Sequence, residues 1–134
     1  MKVIYDTCLY IDFLNSGMHE DLFMSRGHIR FLSGIVAMEL RAGATKPKQI
    51  ATLNTLFKPY FKASRVIGYH ENELLLAGEI LAKIRKKHGN LKAGFSHDVL
   101  IALSAVNIGA RIFTTNTKDF KLIAGHLPLK LVSL

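Results

Sequence analysis

The stretch Phe95 to Phe120, FSHDVLIALSAVNIGARIFTTNTKDF, constrains the fold of this chain more than any other. It reads as a helix, a turn, a buried strand and a polar turn. Ser96 is placed to cap the helix. Val99, Leu100, Ile101, Leu103 and Val106 put apolar side chains on most of its sides, so the helix is expected to be largely covered. Asn107 and Gly109 stop it. Arg111 to Thr114 is a short β-branched and aromatic run that suits a buried strand. Thr115, Asn116 and Thr117 then end the strand in polar side chains. Asp98 lies in the first helical turn with Phe95, Ile101 and Ala102 as its neighbours at −3, +3 and +4. A carboxylate held at an apolar edge needs a cation, a donor or a purpose.

The rest of the chain repeats this alternation of strand and helix. Lys2 to Tyr5 reads as a strand with Asp6 at its carboxyl end, followed by a helix over Thr7 to Asn15 that Gly17 ends. Glu20 and Asp21 open a second short helix, where acids favour the positive end of the dipole. Ile29 to Leu32 is a second strand, and Ser33 caps a helix running to about Ala42. Glu39 lies inside that helix with Ile35, Val36, Ala42 and Gly43 as contact partners, so it shares the apolar face. A further helix spans Lys46 to Phe61, with Pro47 in its first turn and Pro59 an awkward fit near its end. Arg65 to Gly68 is a short strand. Glu71 to about His88 is the longest helix, with Leu74, Leu75, Ile80, Leu81 and Ile84 expected inward and a basic end at Lys83, Arg85, Lys86 and Lys87. A loop over Gly89 to Gly94, a short helix over Lys118 to Ile123 and a last strand over Leu129 to Val132 complete the order. Such alternation specifies an α/β fold, a parallel sheet covered on both faces, in one domain over residues 1–134.

A length of 134 residues suits one domain with a real core, and 49% hydrophobic residues speak against disorder. No apolar run reaches the ~18 residues of a membrane span. The opening MKVIYDT lacks a signal-peptide shape, and a single cysteine suits a reducing cytoplasm, the expected location. A net charge of +8 and a pI near 9.8 favour a polyanionic partner, with nucleic acid ahead of an acidic protein.

The chain has only ten acids. Glu20, Asp21, Glu71, Glu73 and Glu79 sit at helix starts or solvated faces, and Asp12 on the outer side of the first helix. Asp6, Glu39, Asp98 and Asp119 remain: two flank strand ends and two project from apolar helix faces. Sites in open parallel sheets form outside the carboxyl ends of the strands, where all four can converge. Two carboxylates at ~4 Å repel by roughly 4 kcal/mol at an effective dielectric near 20. A hard divalent cation, Mg²⁺ or Mn²⁺, is the usual relief, and it can activate water and steady a phosphoryl group. An acidic, metal-holding pit beside a basic surface fits hydrolysis of a nucleic-acid backbone. Simpler roles stand beside this one. Asp98 and Glu39 fit carboxylates paired with arginine, Asp6 an N-cap and Asp119 a cap or surface acid. The run Lys83, Arg85, Lys86, Lys87 fits a solvated helix end as well as an RNA contact. Six histidines show no HxH or HExxH spacing, which speaks against zinc, and no glycine-rich phosphate loop is present.

MKVIYDTCLYIDFL, SGIVAMELRAGA, HDVLIALSA and ARIFTTNTKDF resemble, in order and spacing, the successive motifs of PIN domains, most closely those of VapC-type ribonuclease toxins. The resemblance covers nearly the whole chain and is weak between Pro47 and Lys92. It implies a Rossmann-like three-layer fold with a central parallel sheet of four to five strands. It also implies a Mg²⁺- or Mn²⁺-dependent endoribonuclease, a small antitoxin partner and a homodimer. By motif position Asp6, Glu39, Asp98 and Asp119 match the family's acids, and Thr114 and Asn116 its carboxylate-positioning residues. Cys8 stands where the family has a small polar residue and reads as a small core filler; His97, before Asp98, reads as a partly exposed loop residue. Two other classes compete: a PIN-fold module that binds RNA or protein without catalysis, and a phosphorylated α/β receiver. Intact acids at all four positions disfavour the first, and Thr7 and Cys8 after Asp6 disfavour the second.

Overall fold

Strands form where β-branched and aromatic residues run together, and helices follow every strand but the last, two of them capped by the side chains of Asp6 and Ser33. The computed structural model describes residues 1–134. Its elements are β1 (Lys2–Tyr5), α1 (Thr7–Ser16), α2 (Glu20–Met24), β2 (Ile29–Ser33), α3 (Gly34–Gly43), α4 (Pro47–Lys62), β3 (Val66–Ile67), α5 (Glu71–His88), α6 (Phe95–Ile108), β4 (Arg111–Thr114), α7 (Thr117–Ala124) and β5 (Lys130–Ser133). The five strands form a sheet in the order β3-β2-β1-β4-β5, and every pairing is parallel. Val3 in β1 lies opposite Arg30 in β2 and Arg111 in β4.

This order has a consequence for function. The chain travels outward from β1 to β3, then crosses back to lay β4 on the other side of β1. Parallel crossovers are right-handed, so the reversal puts the helices of the first half on one face and those of the second half on the other. The two central strands are buried on both sides: Val3, Ile4, Tyr5, Ile112 and Phe113 all belong to the core. Between β1 and β4 the loops leave in opposite directions, which opens a crevice at the carboxyl ends.

Several local expectations need correction. Ser96 does not cap α6: the helix begins at Phe95 behind Gly94, whose φ of 87° suits a residue without a Cβ. Its expected burial is seen, with Phe95, Val99 and Ile101 to Ala105 all buried. Asn107 stays inside the helix, which ends at Gly109. Leu74 and Leu75 are 50% and 76% exposed. The inward stripe of α5 is Ala77, Ile80 and Ile84, because that edge faces α6. Pro59 does not end α4, which continues to Lys62. A proline in the last turn costs only one backbone bond, and the buried hydroxyl of Tyr60 meets that of Tyr10 at 2.9 Å. No helix is long and apolar enough to cross a membrane.

Candidate active site

Asp6 is positioned by the last residue of β1 and the first of α1. It is the N-cap of α1, with Oδ1 accepting from the Thr7 N–H at 2.8 Å. Its other oxygen accepts from the Thr114 hydroxyl at 2.7 Å, so adjacent strands β1 and β4 are bridged at their ends. The capping role weighed for Asp6 is therefore real and leaves the carboxylate at the crevice. Burial pushes its pKa up, partly offset by these donors, and Glu39 raises it further.

Thr114 in turn accepts from the backbone N–H of Asn116 at 2.9 Å, which sets the turn after β4. The Asn116 amide then donates to Asp119 at 3.1 Å and lies 3.5 Å from Asp98. Thr114 and Asn116, the two residues expected to position carboxylates, each donate directly to one, Asp6 and Asp119 respectively. Glu39 projects from α3, half-buried, and accepts from the Thr7 hydroxyl at 2.7 Å. Its second oxygen faces Nδ1 of His97 at 3.3 Å.

Asp98 enters from the first turn of α6. Its pKa is pushed up to about 7, first by burial and then by the charges of Asp6, Asp119 and Glu39. The four acids therefore share one electrostatic neighbourhood, although they come from positions 6, 39, 98 and 119 of the chain. Asp119 is held below its ordinary value: burial raises it, but Lys92 and Asn116 outweigh that. No three of the His, Cys, Asp and Glu side chains stand close enough together to enclose an ion as they are placed. The donors are nonetheless all hard oxygens, and mutual repulsion of the kind felt by Asp98 is what a divalent cation relieves.

Two residues do more than their sequence reading gave them. Cys8 packs against the core as expected, and its thiol also donates to Asp6 Oδ2 at 3.4 Å and accepts from the Thr115 hydroxyl at 3.2 Å. Burial and the Asp6 charge push that thiol's pKa up, which keeps its proton in place. His97 lies in helix α6 and pairs with Glu39 instead of sitting in a loop. Thr7 and Lys92 also touch the acids. Thr7 was foreshadowed by its place beside Asp6, whereas nothing in the sequence around Lys92 marks it.

Asp12 faces His19 at 3.1 Å and stays out of the cluster. Lys83, Arg85, Lys86 and Lys87 are exposed along the end of α5. Asn107 near the end of α6 bonds Glu73 near the start of α5, so the two helices run antiparallel. The basic end of α5 therefore lies at the same end of the fold as Asp98. Beside the acids a groove of about 610 Å³ runs between α1, α3 and α4, lined by Ile11, Leu14, Leu40 and Leu53, with Glu39 on its wall. Leu9 and Phe120 are fully buried and do not rim the pit, whereas Met38 is 48% exposed.

The fold and this arrangement define an acid-lined PIN fold: a five-stranded parallel sheet with carboxylates gathered at its switch point. Solved structures share it. The chain is similar to VapBC2 from Rickettsia felis, solved bound to a DNA fragment from its promoter, with a TM-score of 0.71 and 22% identity over 100% of this chain and 99% of that one. VapBC-1 from nontypeable Haemophilus influenzae matches with a TM-score of 0.74 and 21% identity over 99% and 98%. FitAcB from Neisseria gonorrhoeae matches at 0.71 and 20% over 98% and 96%. No family model and no curated protein matches the chain.

Proposed function

We propose that this protein is a metal-dependent endoribonuclease, the toxin half of a toxin–antitoxin pair. The observation that carries the reading is Asp98: a carboxyl pushed up to about 7 by burial and by three other acids at the switch point of the sheet. Perturbed carboxyl groups of this kind cluster at functional sites, and a divalent cation offsets the repulsion between them. Asp6, Glu39 and Asp98, flanked by Asp119, would hold Mg²⁺ or Mn²⁺ through their hard carboxylate oxygens. A bound ion of this kind activates water and steadies charge on a phosphoryl group. The chain's own residues do the rest. Thr114, Thr7 and Asn116 hold the carboxylates in place, and the basic end of α5 offers contacts for RNA phosphates.

The groove beside Glu39 supports a small antitoxin as partner. Its apolar floor suits an amphipathic helix or strand, and Lys46 and Lys48 on its wall suit an acidic one. An arginine from that segment placed against the acids would compete with the ion by charge and bidentate geometry. The reading further includes a homodimer formed through helices of the first half and action in the cytoplasm.

The test is RNA cleavage by the purified chain with Mg²⁺ or Mn²⁺. Cleavage is expected to stop in excess EDTA and in Asp6→Ala. Cutting that persists in both would refute the assignment. Binding of RNA without any cleavage would favour the non-catalytic module instead.

A further inference from the structure

Lys92 alone among the eighteen lysines and arginines is paired with a carboxylate. Its ammonium lies 2.5 Å from Asp119 Oδ2, the oxygen that also accepts from Asn116 at 3.1 Å. The position of this lysine is built in. Its backbone carbonyl accepts the N–H of Phe95 at 3.2 Å, which ties it to the start of the helix that carries Asp98. The side chain then reaches across to the first turn of α7, and its charge bears on Asp98 as well as on Asp119.

We propose that Lys92 is a resident counter-cation that takes the Asp119 side of the acid cluster, so that the site accepts a single divalent ion, on Asp6, Glu39 and Asp98, and not a pair. This rests on the metal-dependent reading above. The physical ground is charge and lone pairs. A second divalent ion on Asp119 would stand beside an ammonium at hydrogen-bond distance from the same carboxylate, and like charges that close repel strongly. One oxygen of Asp119 is already shared between two donors. Two-metal sites bring their ions close enough to share ligands, so blocking one carboxylate blocks the second ion.

The experiment is Mn²⁺ titration of the full chain, followed by calorimetry and by the paramagnetic resonance of free Mn²⁺. The variants are Lys92→Met, Lys92→Arg, Lys92→Met with Asp119→Asn, and Asp98→Asn. Lys92 is exposed, so its replacement leaves the core intact. The wild type is expected to bind one Mn²⁺ per chain, and Lys92→Arg likewise. Lys92→Met is expected to bind a second, at least about tenfold tighter than any second event in the wild type. Adding Asp119→Asn should remove that gain. A wild type that binds two ions, or a Lys92→Met that still binds one, overturns the proposal. A wild type that binds none, matching Asp98→Asn, refutes the metal reading itself and is a separate outcome.

Discussion

The Thr114 hydroxyl at the end of β4 donates to Asp6 Oδ2 at the end of β1 at 2.7 Å, although 108 residues separate them in the chain. Both residues are buried, and Thr114 is wholly covered. The bond therefore closes the seam between the two strands at the switch point and aims Asp6 into the crevice. A buried carboxylate stripped of this donor keeps its desolvation cost and loses part of its compensation, with the Thr7 N–H and the Cys8 thiol left to it.

Thr114→Val should accordingly lower stability by about 1–3 kcal/mol, the usual cost of an unsatisfied buried group. Thr114→Ser, which retains the hydroxyl, should stay within about 1 kcal/mol of wild type. Urea midpoints at one pH measure both. Equal midpoints for the valine and serine variants would remove the bond from the account.

Asp98 makes stability depend on pH in the direction opposite to most acids. Its ordinary value is 3.8 and its folded value about 7. Between those values the folded protein keeps a proton that the unfolded chain has lost, so stability falls as pH rises and levels off above about 7. In EDTA, unfolding free energy should drop by about 1–2 kcal/mol from pH 5.5 to 7.5 after allowance for partial exposure. Asp98→Asn should abolish that part of the slope. The difference between the two curves cancels the histidines. Asp119, held low, adds stability that is lost only in stronger acid and lies outside this window.

RNA binding should weaken steeply with salt. The slope of log affinity against log salt changes by about 0.7 for each phosphate neutralised on a single strand. Replacing Lys83, Arg85, Lys86 and Lys87 with Gln should flatten the slope by about 1–3 units if two to four of them meet phosphates. Fluorescence anisotropy with a labelled oligonucleotide, using a metal-free buffer, measures it. An unchanged slope would move the RNA path to another face.

The groove predicts a specific loss of partner binding. Ile11 is exposed on its wall, so Ile11→Asp should leave the fold intact and lower antitoxin affinity at least about tenfold, the effect of a charge buried in an apolar contact. Co-purification with the neighbouring gene product and a competition titration report this. Undiminished affinity would place the antitoxin elsewhere.

Much of the fold is legible because the signals are local. β4 and α5 match their sequence readings end to end, since β-branched runs, capping groups and glycine stops act within a few residues. The failures are about neighbours. Leu74 and Leu75 look like core on a helical wheel, yet they stay 50% and 76% exposed. Leu9 and Phe120 stand close to Asp6 and Asp119 in the chain, yet both are fully buried and take no part in the surface of the site.

The candidate site divides the same way. The amino-acid order alone placed Asp6, Glu39, Asp98 and Asp119 after strands or on apolar helix faces, because a carboxylate among apolar neighbours is visible within one helical turn. Only the tertiary structure decided who holds each acid: Thr114 and Cys8 on Asp6, Thr7 and His97 on Glu39, Lys92 and Asn116 on Asp119. Most of these partners come from distant parts of the chain. Hydrogen bonds and charges act over a few ångströms of space, and the distance that matters is set by the reversal of the sheet at β1 and β4, which no local pattern encodes.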